Sequence, residues 1–135
     1  MPIIVKPNNE PALNKLNLTA VRSVRSRRDI EIAAGDEFTL NLNVYQDDKP
    51  AAMPLEMEGS TLVFQAFNDV PRSEYGNLIN RKSPIFTISA NTGENNLFEF
   101  ESSYTHDMQG RYRFAIIETT SGQTRTLVNG ALTVY

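Results

Sequence analysis

Asp107-Met108-Gln109-Gly110-Arg111-Tyr112-Arg113-Phe114-Ala115-Ile116-Ile117 reads as a turn feeding a strand. Tyr112, Phe114 and Ile116 occupy alternate positions, with Arg111, Arg113 and Ala115 between them. Successive side chains of a strand point to opposite faces, so the aromatic row is expected to face a core and the arginines solvent. Asp107, Gly110 and Tyr112 make the corner that opens this strand and are expected to be structural.

The same period of two recurs on either side. Phe38, Leu40, Leu42 and Val44 alternate with Glu37, Thr39, Asn41 and Asn43. Ile30 and Ile32 alternate with Asp29 and Glu31, and Phe98 and Phe100 with Leu97 and Glu99. Residues 61–67 are apolar on both faces, which predicts a central strand. Residues 85–89 and 124–135 supply two more strands. Ala33-Ala34-Gly35-Asp36 and Asn91-Thr92-Gly93-Glu94-Asn95 are turn sequences, Ser121-Gly122 is a hairpin turn, and Asn129-Gly130 is expected to be a bulge. Pro54 excludes a central strand in 51–58. The expected fold is all-β, an antiparallel sandwich of about seven or eight short strands with no convincing helix. An up-and-down barrel is the alternative, disfavoured by the long loops at 46–60 and 68–83. The second loop sets Tyr75, Leu78 and Ile79 among charged residues, a mixture suited to a protein contact.

Ahead of the strands, residues 1–28 read as an extended basic arm and 29–135 as the sandwich domain. Pro2, Pro7 and Pro11 remove backbone donors and favour extended geometry. Residues 12–16 hold enough apolar character for a helical turn, too short to stand alone. Residues 18–26 read as a weak edge strand. Residues 1–29 carry a formal charge of +4 and the remainder −7, within a total of −3. That opposition favours contact between arm and body, within one chain or between neighbours. Ile3, Ile4, Val5, Leu13 and Leu16 are expected to dock the arm on a partner, helped by Arg25, Arg27 and Arg28. The arginine cluster lacks interleaved aromatics, and the sequence pI is near 5.1, so no direct nucleic-acid role is expected.

Cysteine is absent, which excludes disulfides, thiolate catalysis and cysteine-ligated metals. No stretch approaches a membrane span, and residues 1–7 lack the charged head and apolar run of a signal peptide. The one histidine, His106, has only Ser102 and Ser103 near it in sequence, and a nucleophile must be set opposite its base by the fold. Asp47-Asp48, Glu56 and Glu58 lack the spacing of a calcium loop. Glu99 and Glu101 share one strand face and read as solvent-facing acids. No phosphate loop, dinucleotide fingerprint or nucleophile elbow occurs. No catalytic residue, metal or cofactor is therefore expected, and the chain reads as a non-enzyme. Tyr45, Tyr75, Tyr104 and Tyr135 are the available stackers if the protein is instead a carbohydrate- or receptor-binding module. That reading would use loops 68–83 and 102–109. A small hydrolase using His106 is a third reading.

Two resemblances sharpen these expectations. The Asp107, Gly110, Tyr112 entry resembles the tyrosine corner of immunoglobulin-like sandwiches, where the phenol bonds back to the preceding loop. The run Ala34-Gly35-Asp36-Glu37-Phe38, then Asp47-Asp48-Lys49-Pro50, Leu55 and Gly59-Ser60-Thr61-Leu62-Val63-Phe64, is similar to the amino-terminal domain of phage baseplate upper (adaptor) proteins. The ending, with Ser121-Gly122, Leu127 and Gly130-Ala131-Leu132-Thr133-Val134, resembles the closing hairpin of small virion sandwich domains. Together these cover about residues 30–135. Family adaptors continue into helical or receptor-facing parts, and the arm at 1–28 is unusual for them. The resemblance implies a phage virion protein of the head, neck or tail, assembled in the host cytoplasm. Its implied partners are other virion proteins and further copies of itself, with no membrane involved.

Overall fold

Phe64 stands at the centre of the core, at ring-centroid distances of 5.2 Å from Phe114, 5.0 Å from Phe100 and 6.2 Å from Phe98. These rings come from three strands and meet because each lies on the inward face of its strand. The computed structural model describes residues 3–5, 15–22, 25–46, 60–68, 84–92 and 96–135, and at 3–5, 91 and 92 the backbone alone.

Ten strands occur among these residues. They are β1 (Ile3–Val5), β2 (Lys15–Val21), β3 (Ser26–Ile32), β4 (Phe38–Tyr45), β5 (Thr61–Asn68), β6 (Phe86–Ser89), β7 (Asn91–Thr92), β8 (Asn96–Phe100), β9 (Gly110–Thr120) and β10 (Gln123–Val134). One helical turn, α1 (Ser102–Thr105), precedes β9. Six strands form one sheet in the order β1-β3-β10-β9-β5-β6, and four form a second in the order β2-β4-β8-β7. The two sheets pack face to face on the aromatic core, as the alternating patterns require. Asn91 and Thr92, expected in a turn, form the short strand β7.

Both sheets are mixed, where an antiparallel sandwich was expected. β1 pairs parallel with β3, β3 parallel with β10, and β2 parallel with β4. The cause is the path of the chain. β2 and β4 share the small sheet while β3, between them in sequence, lies in the large one. Two reversals bring the chain back in its original direction, so β2 and β4 run the same way.

The second correction concerns the arm. β2 has the burial alternation of a packed strand, with Leu16, Leu18 and Ala20 at 0–2% exposure. β3 begins at Ser26. The proposed 28/29 boundary therefore cuts through a strand, and 15–21 belongs to the sandwich. Leu16, expected to meet a partner, is instead core. The small side chain of Ala20 hid the period of two, while Leu16, Leu18 and Ala20 bury against the same layer.

The hairpin at Ser121-Gly122 follows its sequence. Both residues have positive φ, 51° and 79°, as a two-residue turn between right-twisted strands demands. The bulge expected at Asn129-Gly130 lies at Leu127, the extra residue between the pairs Thr126↔Ile117 and Val128↔Ile116. It lets consecutive residues Leu127 and Val128 both reach the core. Gly130 has a different duty. A Cβ there would sit 1.6 Å from the carbonyl oxygen of Arg28, so only glycine lets β3 pass. At that crossing the Asp29 carboxylate accepts from the Ala131 amide at 3.0 Å. Beyond it the strand pair continues, with the Tyr135 amide donating to the Ile32 carbonyl.

Candidate functional site

The predicted partner-binding residues cluster only in part. Ile3, Ile4 and Val5 lie on β1, opposite Arg28, Asp29 and Ile30 in a parallel register at the outer edge of the large sheet. Arg28 donates to the carbonyls of Arg27, at 2.8 Å, and of Thr19 on β2, at 3.4 Å. It thereby ties the rim of one sheet to the rim of the other. The Arg27 guanidinium stands 4.0 Å from Asp29, and Arg25 is exposed. The N-terminal strand and the basic cluster thus share one side of the sandwich. Leu13, Tyr75, Leu78 and Ile79, and the acids Asp47, Asp48, Glu56 and Glu58, lie outside the described residues.

The corner before β9 is built differently from its expectation. Asp107 is exposed and lies 3.2 Å from the His106 imidazole, itself exposed. Gly110 opens β9, and Tyr112 packs half-buried against the core. Among the described residues no hydrogen-bond partner of the Tyr112 hydroxyl is found. Thr105 closes the corner instead: it is 1% exposed and its hydroxyl accepts from the Gly35 amide at 3.0 Å. Met108 seals the core beneath. Tyr104, a candidate stacker, spends its ring on Phe86 at 5.3 Å. At the chain's end the Tyr135 hydroxyl donates to Glu31, and this bond to the carboxylate raises the phenol pKa above its ordinary value. Glu99 and Glu101 are exposed.

The densest polar cluster among the described residues involves none of the predicted site residues. Glu118 follows Tyr112, Phe114 and Ile116 in phase, so it points inward and is 2% exposed. Its carboxylate meets the Arg22 guanidinium at 2.6 Å, Ser60 Oγ at 3.2 Å and Thr120 Oγ1 at 3.3 Å, with Arg125 Nε at 3.8 Å. Ser60 and Thr120 also touch each other, at 2.7 Å. Two hydroxyl protons serve three contacts, so one hydroxyl donates to the carboxylate directly or both do, never all three at once. A carboxylate closed to solvent cannot meet a substrate. It clamps the end of β2, the start of β5 and the β9–β10 hairpin together. The burial of Glu118, though not its partners, was legible: an acid in register with an aromatic core row.

Among the described residues no group of three or more His, Asp or Glu is placed to hold a metal ion, and no helix is long and apolar enough to cross a membrane. Neither a family model nor a curated protein matches the chain.

Proposed function

We propose that this chain is a non-enzymatic structural protein of a phage virion, acting in multiple copies and held to its partners through its N-terminal segment. One observation carries the assembly part of the reading. β1 is a separate three-residue strand on the outer edge of the large sheet, paired with β3 in parallel and preceding the packed strand β2 by a segment of its own. A terminal strand added to a sheet edge is a common mode of protein recognition, since main-chain pairing supplies affinity without a dedicated pocket. The virion assignment rests on the resemblance at residues 30–135 described above.

The immunoglobulin-like reading belongs to this proposal. The order β3-β10-β9-β5-β6 over β4-β8-β7, with the first strand of the larger set parallel to the last strand of the chain, supports it. β1 and β2 are then additions, one to each sheet.

The test is the solution mass of the full chain against a chain lacking residues 1–14, by light scattering. The expected result is a defined oligomer that becomes monomeric on truncation while the circular dichroism of the sandwich persists. Equal mass in both would refute assembly through the N-terminal segment.

A carbohydrate-binding module is the second reading, favoured by one feature. Asn17, Asn41 and Asn43 cluster on the outer face of the small sheet with Thr19, Thr39 and Tyr45. Asparagine is disfavoured within strands, and among the described residues the buried Oδ1 of Asn41 has no hydrogen-bond partner. Glycan-array binding that disappears in Asn41→Ala would establish this reading; an empty array would remove it.

A further inference from the structure

We propose that β1 is an exchangeable strand whose acceptor is the β3 edge of a second copy of this chain. Copies are then laced by the same pairing, Ile3↔Arg28, Ile4↔Asp29 and Val5↔Ile30, that closes the single chain. The inference rests on the assembly reading above and names its partner.

The first argument is length. β1 runs parallel to β3, so Val5 lies at the end of the sandwich toward which Ile30 points. β2 starts at that same end, with Lys15 opposite Thr39 at the beginning of β4. The chain between Val5 and Lys15 therefore has only to pass from the rim of one sheet to the rim of the other, about 10 Å. The ten or so peptide units available span up to roughly 33 Å when extended. The surplus, roughly 20 Å, is slack that lets β1 reach beyond its own β3 edge while β2 stays in its own core.

The second argument is strength. Pro2 and Pro7 flank β1 in sequence, and neither has an amide proton. Backbone donors alternate sides along a strand, so only one of these two, five residues apart, falls on the side that would face β3, and that one adds no donor to a longer pairing. The pairing seen among the described residues covers three residues on a sheet edge, and so short a pairing sits at the low end of local stability and opens readily. Once it opens, β3 presents an unpaired edge, which selects for another strand. The donor and acceptor are identical within and between copies, so each main-chain bond broken within one chain is remade between two. Concentration and linker entropy then decide which closure prevails.

The chain has no cysteine, so introduced thiols report on themselves alone. Neighbouring strands lie about 4.8 Å apart, within the Cα separation a disulfide accepts. Ile3→Cys protein is mixed with Arg28→Cys protein labelled with nitrogen-15, oxidised, and read by non-reducing mass spectrometry of the peptides. The doubly substituted chain, oxidised in dilute solution, checks the register within one chain. Arg113→Cys, on β9, replaces Arg28→Cys as the collision control. The expected result is a disulfide joining residue 3 of one chain to residue 28 of the other, with none to residue 113. If light scattering finds an oligomer but residue 3 joins residue 28 only within single chains, exchange is overturned and assembly by another surface stands. If neither oligomer nor intermolecular disulfide forms, both proposals fall.

Discussion

At single residues the strongest constraints are steric and electrostatic, and they concentrate where strands cross or end. Gly130 is the steric case. Replacing it with alanine forces a Cβ to within 1.6 Å of the Arg28 carbonyl oxygen, and β10 is held on its far side by β9. The expected cost is about 3 kcal/mol or more, the upper range for overpacking. Gly122→Ala meets nothing within 4 Å and carries only the strain of φ +79°, about 1 kcal/mol. Urea unfolding of the two variants checks the order; equal losses would show that the β3 crossing can relax. Glu118 is the electrostatic case. Arg22→Leu leaves a buried carboxylate facing, among the described residues, Arg125 at 3.8 Å and two hydroxyls, and costs about 2–4 kcal/mol, with Arg22 partly exposed. Glu118→Gln keeps most hydrogen bonds while removing the charge, and should cost less. A larger loss for Glu118→Gln than for Arg22→Leu would mean that the charge itself, not its neutralisation, holds the hairpin end. Neither the Gly130 crossing nor the Glu118 clamp is visible from local pattern alone. Glu118 does sit in phase with Tyr112, Phe114 and Ile116, so its burial was inferable. Its partners, 96 and 58 residues distant, were not.

At the scale of elements, strands with large side chains on the buried face were legible, and one with a small residue there was legible only in part: the weak edge strand expected over 18–26 does lie at the edge of the small sheet, but runs over Lys15–Val21. β4 announces itself through Phe38, Leu40, Leu42 and Val44, and the β9–β10 hairpin through Ser121-Gly122. β2 carries the same period in Leu16, Leu18 and Ala20, but its last inward residue is small and Val21 breaks the alternation. Parallel pairing was illegible for another reason: strand direction depends on which sheet the intervening strand joins, a choice no local period records. The consequence is a sharp truncation boundary. A chain starting at residue 15 retains every buried side chain of β2. A chain starting at Asp29 loses Leu16, Leu18, Ala20 and half of β3, where truncating one buried leucine alone costs about 2–5 kcal/mol. Against a total stability of about 5–15 kcal/mol, the shorter chain is expected to be unfolded. Far-ultraviolet circular dichroism and a cooperative melt for the first, with neither for the second, are the expected outcome; a cooperative melt for the chain from Asp29 would return β2 to the status of an arm.

For the whole molecule, the question is how a sandwich complete from β2 onward uses a strand that precedes it. Seen within one chain, β1 protects the β3 edge; exchanged, it protects a neighbour's edge with the same bonds. The two states differ in one measurable respect, since only the exchanged state couples folding to concentration. For an exchanged dimer present throughout, raising protein concentration about 100-fold stabilises the folded pair by roughly 2.7 kcal/mol, or about 1.4 kcal/mol per chain. For a domain of this size that corresponds to roughly 5 °C in melting temperature. The chain lacking residues 1–14 should melt at one temperature across the same range. Scanning calorimetry on both at the two concentrations separates the cases. A concentration-dependent melt in the full chain alone assigns the coupling to the N-terminal segment. The same dependence in both chains would locate the contact on the sandwich surface and leave β1 as an intramolecular edge guard.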